Sequence, residues 1–114
     1  MYRPFLALAG LLGALGVATA AAASHSADTN LGIVGNFLLF HAPAMIGLSL
    51  VPRSRVVIIA GCVLAVGLAL FCGDLATRSL AGHALFPMSA PIGGGTLILG
   101  WLLVAATALF TRRT

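Results

Sequence analysis

The 114-residue chain has no lysine and no glutamate; its charge consists of six arginines and two aspartates. Charged residues make up 7% of the total and hydrophobic residues 61%, whereas an ordinary soluble domain carries about 25% charged residues. So few charges cannot cover a water-facing surface, which excludes a soluble globular protein. A disordered tail is excluded too, because disorder needs low hydrophobicity and high charge. Cysteine is scarce as well. Cys62 and Cys72 stand in one apolar run, about 15 Å apart on a helix, too far for a disulfide. There is no CxxC, CxxCH, GxSxG or pair of neighbouring carboxylates, so covalent haem attachment, a nucleophile elbow and paired-carboxylate acid–base work lack their residues.

What the chain does have is apolar length. Mean hydropathy is +1.14, and stretches 5–23, 31–51, 56–73 and 92–110 are each nearly free of charge. A membrane-spanning helix needs ~20 such residues. The hydrocarbon offers no water to backbone groups, so the stretches must be helical. The expected fold is all-α, an integral membrane four-helix bundle, with residues 1–114 forming a single membrane domain.

The arginines set the orientation. Arg3, Arg53, Arg55, Arg112 and Arg113 fall on one side of this arrangement and Arg78 alone on the other. By the positive-inside bias both termini are cytoplasmic. The net charge of +4 marks topology and no nucleic-acid surface, because the arginines stand singly or in pairs at the ends of apolar runs. Arg3, the first apolar run and Ala18 to Ala23 imitate a secretory signal peptide. The length of that run and its glycines favour a retained span.

Helices in lipid associate at small residues. Gly61, Ala65, Ala69 and Gly73 form a four-residue-spaced stripe in the third span. Gly93, Thr96, Gly100 and Thr107 in the fourth are spaced as one side of a left-handed bundle, and Ala9/Gly13, Gly10/Ala14 and Gly16/Ala20 stand four apart in the first. These stripes read as seams of the bundle, the third being the best candidate for an outward contact. Pro91 followed by Gly93 and Gly94 opens the fourth span, and Trp101 sits mid-span as a packing residue.

Three polar residues are candidates for function. His41 lies at the centre of the second span, where an ionisable group is expensive and faces the bundle interior. Pro43 displaces the Leu39 carbonyl, offering His41 an acceptor there or on another helix. Asp74 and Arg78 pair in the favourable acid-first order if the third helix continues past Gly73. One mid-membrane histidine cannot ligate haem from both sides within one chain. His25, Asp28, Asp74 and His83 match no zinc-ligand spacing. No metal or cofactor is therefore expected. The small multidrug exporters are set aside, since their first-span carboxylate has no counterpart in residues 5–23.

Several phrases resemble a known family. Leu70-Phe71-Cys72-Gly73-Asp74-Leu75, Ala90-Pro91-Ile92-Gly93-Gly94-Gly95, Gly100-Trp101, Phe40-His41-Ala42-Pro43-Ala44 and Ala14-Leu15-Gly16 are similar to motifs of the family known as domain of unknown function 423. Its members include small bacterial inner-membrane proteins and animal transmembrane protein 256. The likeness runs from Leu11 to Ala108. It implies a four-helix membrane protein and supplies no activity. His41, Gly73, Pro91, Gly93, Gly94 and Trp101 match the family pattern. The family's first-span histidine falls on Ala21, or on His25 with a shift. Asp74 replaces a serine and Ala76 an aromatic residue.

Two functional classes follow. One is a non-catalytic structural or accessory component of the inner membrane, in contact with the lipid bilayer and assembling as a homo-oligomer or within a larger membrane complex. The other is a small transporter, proton-linked protein or cofactor binder centred on His41. A reporter fused after Thr114 should be active in the cytoplasm; activity only on the opposite side of the membrane would overturn the orientation.

Overall fold

A computed structural model describes residues 1–110 and contains four helices and, among those residues, no strand. Arg112 and Arg113, which contribute to the orientation argument, lie outside the described residues. The helices are α1 (Arg3–Ser24), α2 (Thr29–Leu50), α3 (Arg55–Ala81) and α4 (Ser89–Phe110). Each is long and apolar enough to cross a membrane. At 22 residues three of them extend roughly 33 Å, and α3, at 27 residues, roughly 40 Å.

Local chemistry places the boundaries. Pro4 sits in the first turn of α1, where its missing N–H costs nothing. Asp28 caps α2, its carboxylate accepting from the Asn30 and Leu31 amides at 2.9 and 3.3 Å. Ser54 caps α3 through the Val57 amide. Gly82 ends α3 at φ +78°, a left-handed conformation that glycine adopts without a Cβ penalty. The third apolar run ends at Gly73, yet the helix continues to Ala81. Asp74 does not stop it, because its charge is neutralised within the next turn by Arg78.

The helices pair as two antiparallel hairpins, α1 with α2 and α3 with α4, joined through α2 and α3. Glycine is the contact residue in both. A Cβ on Gly16 would lie 2.8 Å from Leu39 Cγ, and one on Gly35 would lie 3.1 Å from the Ala20 nitrogen. In the second hairpin a Cβ on Gly67 would lie 2.8 Å from the Leu97 nitrogen, and one on Gly93 only 2.6 Å from the Phe71 nitrogen. Gly100 faces Leu64 in the same way. These residues let the backbones touch, which lipid-exposed helices need because lipid tails are as apolar as leucine.

Phe5, Leu38, Met45, Val57, Leu64 and Leu68 are among the buried side chains that fill the space between hairpins. Leu11, Val17, Phe40, Val66, Ile98 and Leu102 are more than half exposed. That outward apolar surface is what a hydrocarbon solvent requires. The bundle is flattened, 49 × 27 × 17 Å, with α1 and α4 on its flanks.

The stripe Gly61, Ala65, Ala69, Gly73 divides. Gly61 meets the Phe5 ring of α1. Ala65, Ala69 and Gly73 border an open apolar groove of about 350 Å³ between α1 and α3. In α4, Gly93 and Gly100 face α3, while Thr96 bonds the Ile92 carbonyl and Thr107 lines a second groove toward α2.

Gly67→Leu should therefore cost roughly 1–3 kcal/mol or more, the overpacking range, because the obstacle is backbone. Gly47→Ala, with nothing near its Cβ position, should leave stability unchanged or higher. Unfolding midpoints in mild detergent check both; equal stability of Gly67→Leu and wild type would refute the seam.

Candidate functional site

The polar side chains gather at two levels. The first is mid-membrane. His41 is 6% exposed and bonds at both ring nitrogens. Its Nδ1 lies 2.7 Å from the Phe37 carbonyl one turn back. Its Nε2 lies 3.1 Å from Trp101 Nε1 on α4. An indole N–H only donates, so Nε2 must be the acceptor and the proton sits on Nδ1, donating to Phe37. The acceptor is thus the Phe37 carbonyl and not the Leu39 carbonyl displaced by Pro43. The Phe37 ring stacks along His41 and lies 4.6 Å, centroid to centroid, from Phe71 of α3. Phe37, His41, Phe71 and Trp101 border a cavity of about 310 Å³, completed by Gly94, Leu97 and Ile98.

The second level is the end of the bundle carrying the α1–α2 and α3–α4 connections. Asp74 is fully buried. Its Oδ1 accepts from Ser89 Oγ at 2.5 Å and from the Leu85 amide at 3.0 Å. Its Oδ2 accepts from Arg78 Nε at 2.8 Å. One carboxylate thereby ties α3, the connection and the start of α4 together. Pro91 stands in the first turn of α4, two residues after Ser89.

Asp28 lies beside this level, its carboxylate also accepting from the Ser79 hydroxyl of α3. That bond holds Asp28 below its ordinary 3.8; desolvation opposes it, and the Leu31 and Asn30 amides add to it. At the opposite end Tyr2 N donates to the Ser49 carbonyl at 2.8 Å, and the Arg53 guanidinium lies 5.0 Å over the Tyr2 ring.

The structure brings His41 and Trp101 together, and Asp74 and Arg78 together, but keeps the two pairs at separate levels. Sequence reasoning does not single out Ser89, Ser79 or Phe37, and it weighs Asp28 only as a zinc ligand. Asp28 carried a signal, an acceptor immediately before an apolar run. The serines carried none. No group of three or more His, Cys, Asp or Glu able to hold a metal occurs among the described residues. His25, Asp28, Asp74 and His83 accordingly do not converge.

These observations define a multi-pass membrane protein, two glycine-sealed hairpins whose polar side chains bond internally. The family model described as "Protein of unknown function (DUF423)" matches residues 9–94, and the chain belongs to that family. It is 28% identical over 122 residues to the UPF0382 inner membrane protein YgdD of Escherichia coli (strain K12), with 97% of this chain and 93% of that protein covered. The figures are the same for the protein of that name in Shigella flexneri. No solved structure matches.

Asp28 gives a pH prediction. A carboxylate whose pKa is depressed on folding stabilises the fold above its unfolded pKa, and that contribution is lost as pH falls through the folded value. The thermal midpoint in detergent should drop on acidification below about pH 4, and the drop should be smaller in Asp28→Asn. An identical acid response in the two proteins would show that the Ser79 contact contributes nothing.

Proposed function

We propose that this protein is a non-catalytic structural component of the inner membrane, with both termini cytoplasmic. It contacts the bilayer and presents helix surface to other membrane helices, in a homo-oligomer or in a larger complex. The observation that carries this reading is the state of its polar groups. Both nitrogens of His41 and both oxygens of Asp74 are occupied by the chain itself. Among the described residues no buried side-chain nitrogen or oxygen lacks a partner. A proton relay or transport site needs a group that exchanges partners with a substrate; here His41 and Trp101 serve to hold α2 against α4. The cytoplasmic assignment rests on Arg3, Arg53 and Arg55 sharing one end against Arg78 at the other.

The aromatic cavity beside His41 favours the second reading, a transporter or binder centred on that residue. Flux separates the two. Proteoliposomes containing the wild-type protein should hold a pH gradient as long as empty liposomes do. His41→Leu should leave that unchanged while lowering stability by about 0.6–1.7 kcal/mol, the range of hydrogen bonds between membrane helices. A proton leak in the wild type that disappears in His41→Leu would replace the structural reading with the transport one.

A further inference from the structure

The two hairpins are one unit used twice. Two constant offsets, one carrying α1 onto α3 and the other α2 onto α4, superpose their contacts. Gly16 against Leu39 becomes Gly67 against Leu97, and Gly35 against Ala20 becomes Gly93 against Phe71. Gly13 against Ala42 becomes Leu64 against Gly100, the small residue changing sides. Ser49 bonding the Ile46 carbonyl becomes Thr107 bonding the Val104 carbonyl. The residues agree as well. Ala9, Gly10, Ala14, Gly16 and Ala18 of α1 correspond to Ala60, Gly61, Ala65, Gly67 and Ala69 of α3.

Within the chain the two units do not meet face to face. The first unit offers Phe5, Phe37 and His41. The second receives them with Gly61, Phe71 and Trp101 respectively. Different surfaces meet, so the contact is heterologous, and a heterologous contact leaves one face of each kind unused at the ends. The unused offering face is on the second unit, at Val56, Gly95 and Leu99. The unused receiving face is on the first, at Gly10, Ala20 and Pro43. Leu99, Gly95, Gly10 and Pro43 are exposed, and space is open around the Cβ positions of Gly10 and Gly95. The helices that carry most of them, α4 and α1, lie on opposite flanks of the flattened bundle.

We propose that a second copy of this chain docks by repeating the contact between the hairpins, the α3–α4 face of one copy seated on the α1–α2 face of the next. The occupant is a second copy because the exposed surfaces correspond to the two sides of an interface the chain already makes with itself. The polar lock is not repeated. His41 corresponds to Leu99 and Trp101 to Pro43, so packing alone carries the contact between copies, which separates more readily than the hairpins. This inference rests on the reading of the protein as an assembling component and names the surface and partner.

The test uses the full chain with Cys62→Ser and Cys72→Ala, as two differently tagged copies co-expressed in membranes. Val56→Cys in one copy with Gly10→Cys in the other, and Gly95→Cys with Ala20→Cys, should be joined by a short thiol-reactive cross-linker. Gly10→Cys in both copies should not. Gly10→Leu, which adds bulk where the chain itself has open space, should abolish cross-linking between Gly95→Cys and Ala20→Cys while leaving the emission of Trp101, the single tryptophan, unchanged. Oligomers by size in nanodiscs without the matched cross-links, or with cross-linking between two copies of Gly10→Cys, would overturn this arrangement and leave the assembly reading standing. Cross-linking only to other proteins would do the same. A monomer in nanodiscs with no cross-link of any kind would overturn both.

Discussion

Contact between helix backbones at glycine is the condition on which the rest of this molecule depends. In lipid there is no gain from removing leucine from its surroundings, so helices are held by close van der Waals contact and by the few polar bonds they share. Gly16, Gly35, Gly67 and Gly93 bring each hairpin together at backbone distance. Only with both hairpins closed can His41 reach Trp101, and Asp28 reach Ser79. The hydrogen bonds between hairpins select among packings that the glycines have already made available.

The polar residues follow the same economy. A side chain such as His41 or Asp74 is costly where water is absent unless each of its atoms has a partner. The chain supplies those partners locally where it can, as with Phe37 for His41 and Arg78 for Asp74. It supplies the others across helices, as with Trp101 and Ser89. Several of the residues that carry the family resemblance sit at the contacts between helices. Gly93 and Gly100 are in the α3–α4 seam, and His41 and Trp101 bridge α2 and α4. The apolar grooves beside α1 and around Phe37 are the spaces left where hairpins meet through a few points only.

How much of this was legible in the residues depends on the range of the interaction. The four spans, the family and the Asp74–Arg78 pair are properties of short segments, and short segments show them. The stripe at Gly61, Ala65, Ala69 and Gly73 looked like a single seam because its spacing is regular. Spacing fixes which residues share a face but not what stands opposite, and there the phenyl ring of Phe5 gives way to an open groove. Gly67 belongs to no such stripe, so spacing does not mark it. Trp101 read as packing because nothing in its neighbourhood names a histidine sixty residues away. The repeat of Ala-Gly and the following small residues in α1 and α3 was present in the sequence, but among so many alanines and glycines it acquires meaning only when the contacts coincide.

By itself, then, the sequence determined the solvent, the number of helices and the family, because apolar composition and segment length act on each stretch independently of the others. Tertiary structure alone decided which glycines touch, which tautomer His41 adopts, and that Asp74 is a buried tie between α3, the following connection and α4. Each of those is settled by an atom supplied from another helix or connection, and the identity of that atom depends on how the hairpins rotate and cross.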